Sequence, residues 1–427
     1  MKILYSILFA LITATLLSYC SATKRISSSN LSFIYKPNLN VLHPLYQVFH
    51  NTDSTSQLHF KFFTDELLYN RKEDGKKYQA KIKLRYKLLH SVDIPKILDS
   101  ATTIICDSVS YGKNNEIIGF IDIKAKQGET YMLEIEAIDI YRNQEKMPQF
   151  IDIDKTDKFG HQNFLLCTAD GQYPLFRNYL KKNETCYFYY RNNIINNFFC
   201  RYYNREFPLP GPPFSIVESK PFSYKADSIF VIASNEQRGI QINFHSPGLY
   251  FIQTDTMNNN RRGFSLFLFD DHFPLVQSTE QMTDALRYIT TKREYDNIKA
   301  ENTKKAFDRF WLNNGVTEER ARELIKEYYT RVQNANRYFT SYVEGWKTDR
   351  GMIYIVFGPP NVLYKSGDSE SWIYGEENNF MSLNYTFIKA ANPFSDNDFQ
   401  MSRSPIYKNG WYRAVDSWRQ GRAFSSN

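Results

Sequence analysis

The sequence predicts a multidomain protein in which two immunoglobulin-like all-β sandwiches precede a C-terminal α+β domain of helices and a small antiparallel sheet. Between residues 41 and 273, short apolar runs, some alternating with period two, are separated by polar turns, as in half-buried antiparallel strands. From Ser278 onward the apolar period becomes three or four residues, as in amphipathic helices. All five tryptophans lie at or after Trp311, which sets the last third apart.

The first sandwich is predicted at residues 41–150. Its strand candidates are apolar or alternating runs bounded by polar residues: Leu58–Phe63, Tyr78–Leu89, Glu116–Ile123 and Tyr131–Ile140. In the last run, Leu133 and Ile135 alternate with Glu134 and Glu136, so one face is expected in the core and the other in water.

The second sandwich is predicted at residues 160–273. Seven runs have the length and composition of strands: Asn163–Cys167, Thr185–Tyr190, Asn197–Tyr203, Ser228–Ala233, Gly239–Asn243, Gly248–Thr254 and Gly263–Phe269. The prolines between Pro208 and Pro213 exclude a central strand there and indicate a loop.

The α+β domain is predicted at residues 278–390, with a polar tail at 391–427 in which Trp411 and Trp418 would be late anchors. Thr317 is expected to cap a long helix whose apolar stripe continues to Gly345. A strand at Met352–Phe357, a turn at Gly358–Pro360 and a returning strand at Ser371–Tyr374 would complete the domain.

The first 20 residues have the pattern of a secretory signal peptide, with Lys2 before an apolar run from Ile3 to Leu17. Leu17–Cys20 resembles a bacterial lipobox, in which the cysteine thiol is acylated, although Tyr19 departs from the small residue usual before the cysteine. Lipidation at Cys20 is the prediction, and an ordinary exported or membrane-tethered protein is the alternative. Residues 21–40 are Ser- and Asn-rich and predict a tether.

One stretch carries a family resemblance. Gly345-Trp346-Lys347-Thr348-Asp349 lies between the upstream pattern from Tyr328 to Phe339 and the downstream Trp372-Ile373-Tyr374. This combination resembles the GWxTD-domain proteins, which are found mainly among envelope lipoproteins of Bacteroidota and have no settled activity. The resemblance implies a GWxTD domain in the C-terminal part. Position 21 is Ser rather than Asp, and no acidic cluster follows Cys20. For a lipoprotein of this kind, both points favour the periplasmic face of the outer membrane.

The motif has two interpretations. In the structural one, Gly345 ends a helix with positive φ, Thr348 and Asp349 accept from backbone N–H groups, and Arg350 pairs with a carboxylate. In the functional one, the motif and the following turn bind a partner protein. The residues assigned to that contact are Trp346, Thr348, Asp349, Arg350, Pro359, Pro360 and Trp372.

Catalytic and metal-binding motifs are not evident in the sequence. The seven histidines are scattered, and there is no HExxH, GxSxG, Walker or GxGxxG pattern. Asp152, Asp154 and Asp157 are crowded, but Lys155 interrupts them, so a solvated inter-domain linker is favoured over a calcium loop. Besides Cys20 there are four cysteines, Cys106, Cys167, Cys186 and Cys200, which we expect to be buried thiols or, alternatively, disulfide-bonded.

These observations predict a non-enzymatic, periplasm-facing outer-membrane lipoprotein without cofactor or metal. It would be an accessory, protein-interaction subunit of an envelope machine for outer-membrane protein assembly, secretion or gliding. The expected partners are the membrane, through the N-terminal lipid, and an envelope protein complex. A net charge of +7 without a dense Lys/Arg stripe argues against nucleic acid. The alternatives are an envelope glycan-binding or glycan-processing protein, and an enzyme whose site assembles across domains.

Overall fold

The computed structural model describes residues 25–425 except 72–77, 110–115, 143–146, 192–196, 217–223, 234–238, 255–261 and 302–303. The signal peptide and the lipidation site predicted at Cys20 lie outside the described residues.

The first unit is a sandwich of two antiparallel sheets. Its strands are β1 (Leu45–Phe49), β2 (Thr55–Phe63), β3 (Asn70–Arg71), β4 (Tyr78–Leu89), β5 (Ile97–Val109), β6 (Glu116–Lys124), β7 (Thr130–Asp139) and β8 (Gln149–Asp154). One sheet has the order β1-β2-β6, and the other β3-β4-β7-β8 with β5 also on β4. Leu58, Leu84 and Leu133 are fully buried between them. The boundary predicted at 150 falls inside β8, which pairs with β7.

The second unit is also a sandwich. Its strands are β9 (Phe164–Cys167), β10 (Thr185–Tyr190), β11 (Asn197–Tyr203), β12 (Ser228–Ala233), β13 (Ile240–Asn243), β14 (Gly248–Gln253) and β15 (Phe264–Leu268). The sheets run β13-β10-β9 and β12-β11-β14-β15. Phe164, Phe188 and Phe264 pack against one another in the core, with ring centroids 5.2–5.9 Å apart. All seven strands predicted here are present.

The third unit packs helices on a small antiparallel sheet. Its helices are α1 (Thr279–Ala285), α2 (Lys292–Glu301), α3 (Lys304–Gly315), α4 (Glu318–Phe339), α5 (Asp349–Phe357) and α6 (Tyr407–Arg419). Its sheet has the order β16 (Val362–Lys365), β17 (Ser369–Tyr374), β18 (Leu383–Lys389) and β19 (Phe399–Met401). The Thr317 side chain caps α4 by accepting from the N–H of Arg320, as predicted. Among the described helices, none combines the length and apolar character needed to cross a bilayer.

The strand predicted at Met352–Phe357 is wrong, because these residues form the last turns of helix α5. Every residue of α5 is buried, so the sequence there is apolar on all sides and carries neither helical nor strand periodicity. The Thr348 hydroxyl accepts from the N–H of Gly351 at 3.0 Å and starts this helix. Gly358, with φ of 82°, ends it.

The polar tail predicted at 391–427 is also wrong, since this stretch contains β19 and α6. Trp411, Ala414 and Trp418 form the buried face of α6, spaced three and four residues apart. The indole N–H of Trp418 donates to the Val356 carbonyl at 2.9 Å and joins α6 to α5. The intervening charged side chains of α6 face outward, which explains the polar composition.

The tether predicted at 21–40 is, where described, part of the folded protein. Short 3-10 turns at Ile26–Ser28 and Ser32–Tyr35 lie against the third unit, and a further one at Pro37–Leu39 leads to the first unit. Leu31 and Tyr35 are buried in its core.

Candidate functional site

The motif region begins with two glycines at a close approach of backbones. A Cβ on Gly345 would lie 1.9 Å from the Ala335 carbonyl oxygen, and one on Gly351 would lie 1.9 Å from the Gly345 oxygen. Gly345 has no positive φ and lies in a 3-10 turn after α4, so the positive φ predicted for it is wrong. It is required because α4 and the 3-10 turn touch there.

Thr348 and Asp349 both accept hydrogen bonds, but they act on different parts of the chain. Thr348 caps α5, as described above. The buried Asp349 carboxylate accepts from the N–H of Met401 at 2.9 Å and from the guanidinium of Arg403. Asp349 therefore fixes β19 and the loop after it to the start of α5, rather than the following turn of its own helix.

Arg350 forms a buried ion pair with Glu370 on β17. Its Nη1 donates to Glu370 Oε1 at 3.0 Å, and the side chains are 2% and 1% exposed. Its Nη2 donates to the Asn397 carbonyl at 2.8 Å. The guanidinium lies 4.1 Å from the Phe399 ring centroid and 5.1 Å from that of Phe339. The buried Glu370 carboxylate is thus neutralised by Arg350, whose guanidinium is itself held by the Asn397 carbonyl and by two aromatic rings.

Glu370 also accepts from two aromatic side chains. The Tyr35 hydroxyl lies 2.9 Å from Oε1 and 3.1 Å from Oε2, and the Trp372 indole N–H lies 3.0 Å from Oε2. The ring of Tyr35 packs on Phe339, Trp372 and Tyr338, with centroids 4.9, 5.3 and 5.4 Å away. We call the cavity formed by Tyr338, Phe339, Arg350, Glu370 and Trp372 the Tyr35 pocket.

The electrostatics of this pocket keep Tyr35 in its neutral, donating form. Burial is the main reason that the pKa of Tyr35 is raised well above its ordinary value, and the Glu370 carboxylate adds to that effect. A tyrosine that remains protonated supplies the O–H donor that the carboxylate needs.

The residues predicted to bind a partner are mostly interior. Trp346, Asp349, Arg350, Pro360 and Trp372 are buried, while Thr348 and Pro359 are half-buried. Arg350 and Trp372 meet on Glu370, and Asp349 lies apart with Arg403. A direct partner contact through the motif stays a prediction.

Sequence reasoning missed Tyr35, Glu370, Asn397 and Arg403. For Glu370 a signal exists, because residues 370, 372 and 374 alternate as the buried face of β17. An acidic residue in register with Trp372 and Tyr374 indicates a buried carboxylate that needs a partner. The other three residues show no local signal.

A second feature is a cleft of about 930 Å³ where the three units meet. Tyr46 and Gln47 of β1, Arg262 and Ser265 near β15, and Asn392 after β18 contribute to its lining. The hydroxyls of Tyr46 and Ser265 and the Gln47 Oε1 atom are buried without a hydrogen-bond partner. These three atoms are not exposed to solvent, so a ligand in the cleft would contact them only after the cleft wall rearranged.

The buried thiols and the two buried imidazoles have environments that disfavour nucleophilic or base chemistry. Burial raises the pKa of Cys167 and Cys186 to about 12 and lowers that of His50 and His59 to about 4. Cys167, Cys186 and Cys200 are buried free thiols, as one alternative predicted, whereas Cys106 is exposed.

The acidic run at 152–157 was predicted to be a solvated linker, and that prediction is wrong. Asp152 and Asp154 lie on β8, and Lys155 is fully buried and donates to the carbonyls of Thr52, Thr55 and Ala125 at 2.8–2.9 Å. Within the described ranges, no group of three or more His, Cys, Asp or Glu side chains is arranged to hold a metal ion.

Comparison with known proteins gives one match to a family. Residues 248–420 match the family model of the GWxTD domain. This range begins with β14, in the second unit, and ends just after α6. No curated protein matches the chain. Among solved structures, the chain is similar to a glycosyl hydrolase family 2 member from Bacteroides cellulosilyticus DSM 14838, at 10% identity and a TM-score of 0.19. The similarity covers 34% of this chain and 19% of that one, and at this TM-score it carries no argument.

Proposed function

This chain is a GWxTD domain-containing protein, and from that premise we propose that it is a non-enzymatic, periplasm-facing outer-membrane lipoprotein. It would serve as an accessory, protein-interaction subunit of an envelope machine, for outer-membrane protein assembly, secretion or gliding. The two sandwiches, which we propose to be immunoglobulin-like, would be the docking arm, and Cys20 would carry the lipid.

The observation that carries this proposal is the free edge at β12. Within the part of the chain that the structure describes, this strand pairs only with β11 and is the last strand of its sheet. Ile229, Phe230 and Val231 are 53%, 38% and 55% exposed, so apolar side chains face solvent on both sides of the strand. Natural edge strands are usually short, charged or covered, because an open apolar edge pairs with other strands. We therefore assign β12 to pairing with an extended strand of the partner protein.

The test is affinity purification from the native membrane in mild detergent, with a C-terminal tag and mass spectrometry. The wild-type protein should recover a stoichiometric envelope complex. Ile229→Lys with Val231→Lys should reduce that recovery at least tenfold, because charges are placed on the free edge. The matched control is Ile388→Lys, which is equally exposed but lies on β18, a strand paired on both sides. Recovery of the protein alone, or of the complex with both lysines in place, would contradict the proposal.

The lipid anchor is tested separately by labelling the native host with an alkyne fatty acid. The wild-type protein should carry the label and sediment with the outer membrane, and Cys20→Ser should lose both properties. A labelled Cys20→Ser variant, or an unlabelled wild type, would show that Cys20 is not the acylated residue.

The cleft favours a second candidate, an envelope glycan-binding or glycan-processing protein. The polar side chains of Gln47, Arg262 and Asn392 in its lining would bind sugar hydroxyls, and Tyr46 would offer a ring for stacking. This candidate predicts saturable binding of the purified protein to peptidoglycan or an envelope polysaccharide, weakened by Tyr46→Ala. Absence of binding, or binding that Tyr46→Ala leaves unchanged, would exclude the cleft as a glycan site.

A further inference from the structure

We infer that the Tyr35 pocket, whose Arg350 directly follows the GWxTD motif, is a docking site for the segment that follows the N-terminal anchor, with Tyr35 as the residue it recognises. Residues 30–36, which we call the docked segment, are that ligand. If the anchor is the lipid of the proposed function, on which this part of the inference rests, the docking holds the third unit beside the anchor.

The docked segment first binds the open edge of the small sheet. β16 is the outermost strand, paired only with β17. The N–H of Leu31 donates to the Leu363 carbonyl at 2.8 Å, and the N–H of Leu363 donates to Asn30 Oδ1 at 3.1 Å. Asn30 Nδ2 also donates to the Asn361 carbonyl at 3.2 Å. The segment thereby satisfies backbone groups that an edge strand would otherwise expose.

The second contact is the insertion of Tyr35 into its pocket. The ring is enclosed by aromatic side chains of α4 and β17, and the hydroxyl ends on Glu370. The hydroxyl of Tyr354, on α5, also donates to the Tyr35 carbonyl at 2.9 Å. Side chain and main chain of one residue are therefore held by three different elements of the third unit.

Arg350, which directly follows the motif, explains why the pocket selects tyrosine. A buried carboxylate is costly unless it is paired, and Arg350 supplies the pairing. The remaining acceptor capacity of Glu370 points at the Tyr35 ring and requires a donor there. Phenylalanine fills nearly the same volume but removes one of the three donors to Glu370, at a cost typical of a lost hydrogen bond to a charged group. Arg350 is thus a positioning residue that acts through Glu370.

Chain length limits how far the anchor is from this site. Five peptide units separate Cys20 from Arg25, the first described residue, and a fully extended chain spans at most about 3.6 Å per residue. An acylated Cys20 would then lie within roughly 18 Å of Arg25. The side chain of Ile26 packs against both the first and the third unit, so the anchor would attach where these units meet.

The test is hydrogen–deuterium exchange on the purified mature chain, which needs no membrane. Tyr35→Phe and Glu370→Gln should each accelerate exchange at residues 31–36 at least tenfold relative to β17 of the same molecule. The matched control is Tyr364→Phe. Tyr364 lies on the edge strand β16 but outside the pocket, and the change removes its hydrogen bond to the Glu377 carboxylate. It should change exchange of the docked segment less than twofold.

Two results would overturn the inference. One is unchanged exchange at residues 31–36 in both pocket variants. The other is acceleration of β17 to the same extent as the segment, since docking would then not be a separable event. Because this measurement is independent of acylation, a negative fatty-acid label with positive exchange would refute the lipoprotein proposal alone. Lipid photo-crosslinking of the acylated protein tests whether the third unit lies beside the anchor. Adducts confined to the second sandwich would contradict that placement.

Discussion

At the scale of single residues, the motif is defined by close approach and by charge burial. Gly345 and Gly351 leave no room for a side chain where the α4 backbone, the 3-10 turn and α5 touch. Arg350 is enclosed by the ring of Phe399 and the carboxylate of Glu370. The sequence from Gly345 to Gly351 therefore meets steric and electrostatic requirements at one junction of the third unit.

Gly345→Ala should destabilise the third unit by about 1–3 kcal/mol, the range for overpacking, because its Cβ would overlap the Ala335 carbonyl. Urea unfolding followed by tryptophan fluorescence reports this unit, since all five tryptophans lie in it. Gly367→Ala is the control, because its Cβ would have no heavy atom within 4 Å. Equal midpoints for the two variants would argue against the steric explanation.

Arg350→Met should cost about 3–5 kcal/mol, because it leaves the Glu370 carboxylate buried without its cation. Adding Glu370→Gln removes that charge and should restore at least half of the loss. The same unfolding assay measures both. A double variant as unstable as the sum of the single ones would mean that the two side chains act independently.

At the scale of elements, helix α6 is held by its buried tryptophans and by one ion pair. Arg419 makes a bidentate contact with Glu294 of α2, at 2.9 and 2.7 Å. Hydrogen bonds from Arg419 are the main reason that the pKa of Glu294 is lowered to about 2, against the opposing effect of burial. This pair connects the last helix to the second one across the unit.

Glu294→Gln should lower stability at pH 6 and have little effect near pH 2. The folded-state pKa lies below the unfolded value near 4.5, so the contribution is present above pH 4.5 and is lost as the pH falls towards 2. The two side chains are 33% and 38% exposed, so we expect less than about 1 kcal/mol. Thermal melts at several pH values test this, with Glu301→Gln, an exposed partner of Arg309, as control. A difference from wild type that does not shrink with acidity would contradict it.

At the scale of the whole molecule, the two sandwiches share a buried polar junction. His50, fully buried, donates its backbone N–H to the Gln162 carbonyl at 2.8 Å and contacts Ser56 and Asp154 through its ring. Arg191 reaches from the second unit to Gln127 of the first at 2.9 Å. Directional bonds of this kind fix the relative orientation of the two units more than an apolar contact does.

The junction should weaken in mild acid. Burial lowers the pKa of His50 and His59 to about 4, so between pH 6.5 and 4 the unfolded chain binds protons that the folded one does not. Stability should therefore fall as the pH drops through that window. His50→Asn should make the slope of the unfolding free energy against pH shallower, because it removes one of the two buried imidazoles. An unchanged slope in His50→Asn would contradict the assignment.

Sequence alone determined most strands of the two sandwiches, because alternation and turn residues act locally. β4, β10, β11 and β12 have the bounds that their patterns predicted. The pattern was insufficient where burial is complete, as in α5, or where exposure is high, as in β5, which no run predicted.

Only the tertiary structure decided the site. The sequence predicted the motif and its helix cap, but not that Arg350 pairs with Glu370 or that Tyr35 enters the same pocket. Tyr35 and Glu370 are 335 residues apart, and no local property of either records the other. Periodicity reports which face of an element is apolar, whereas the partner of a buried charge depends on which elements the fold brings together.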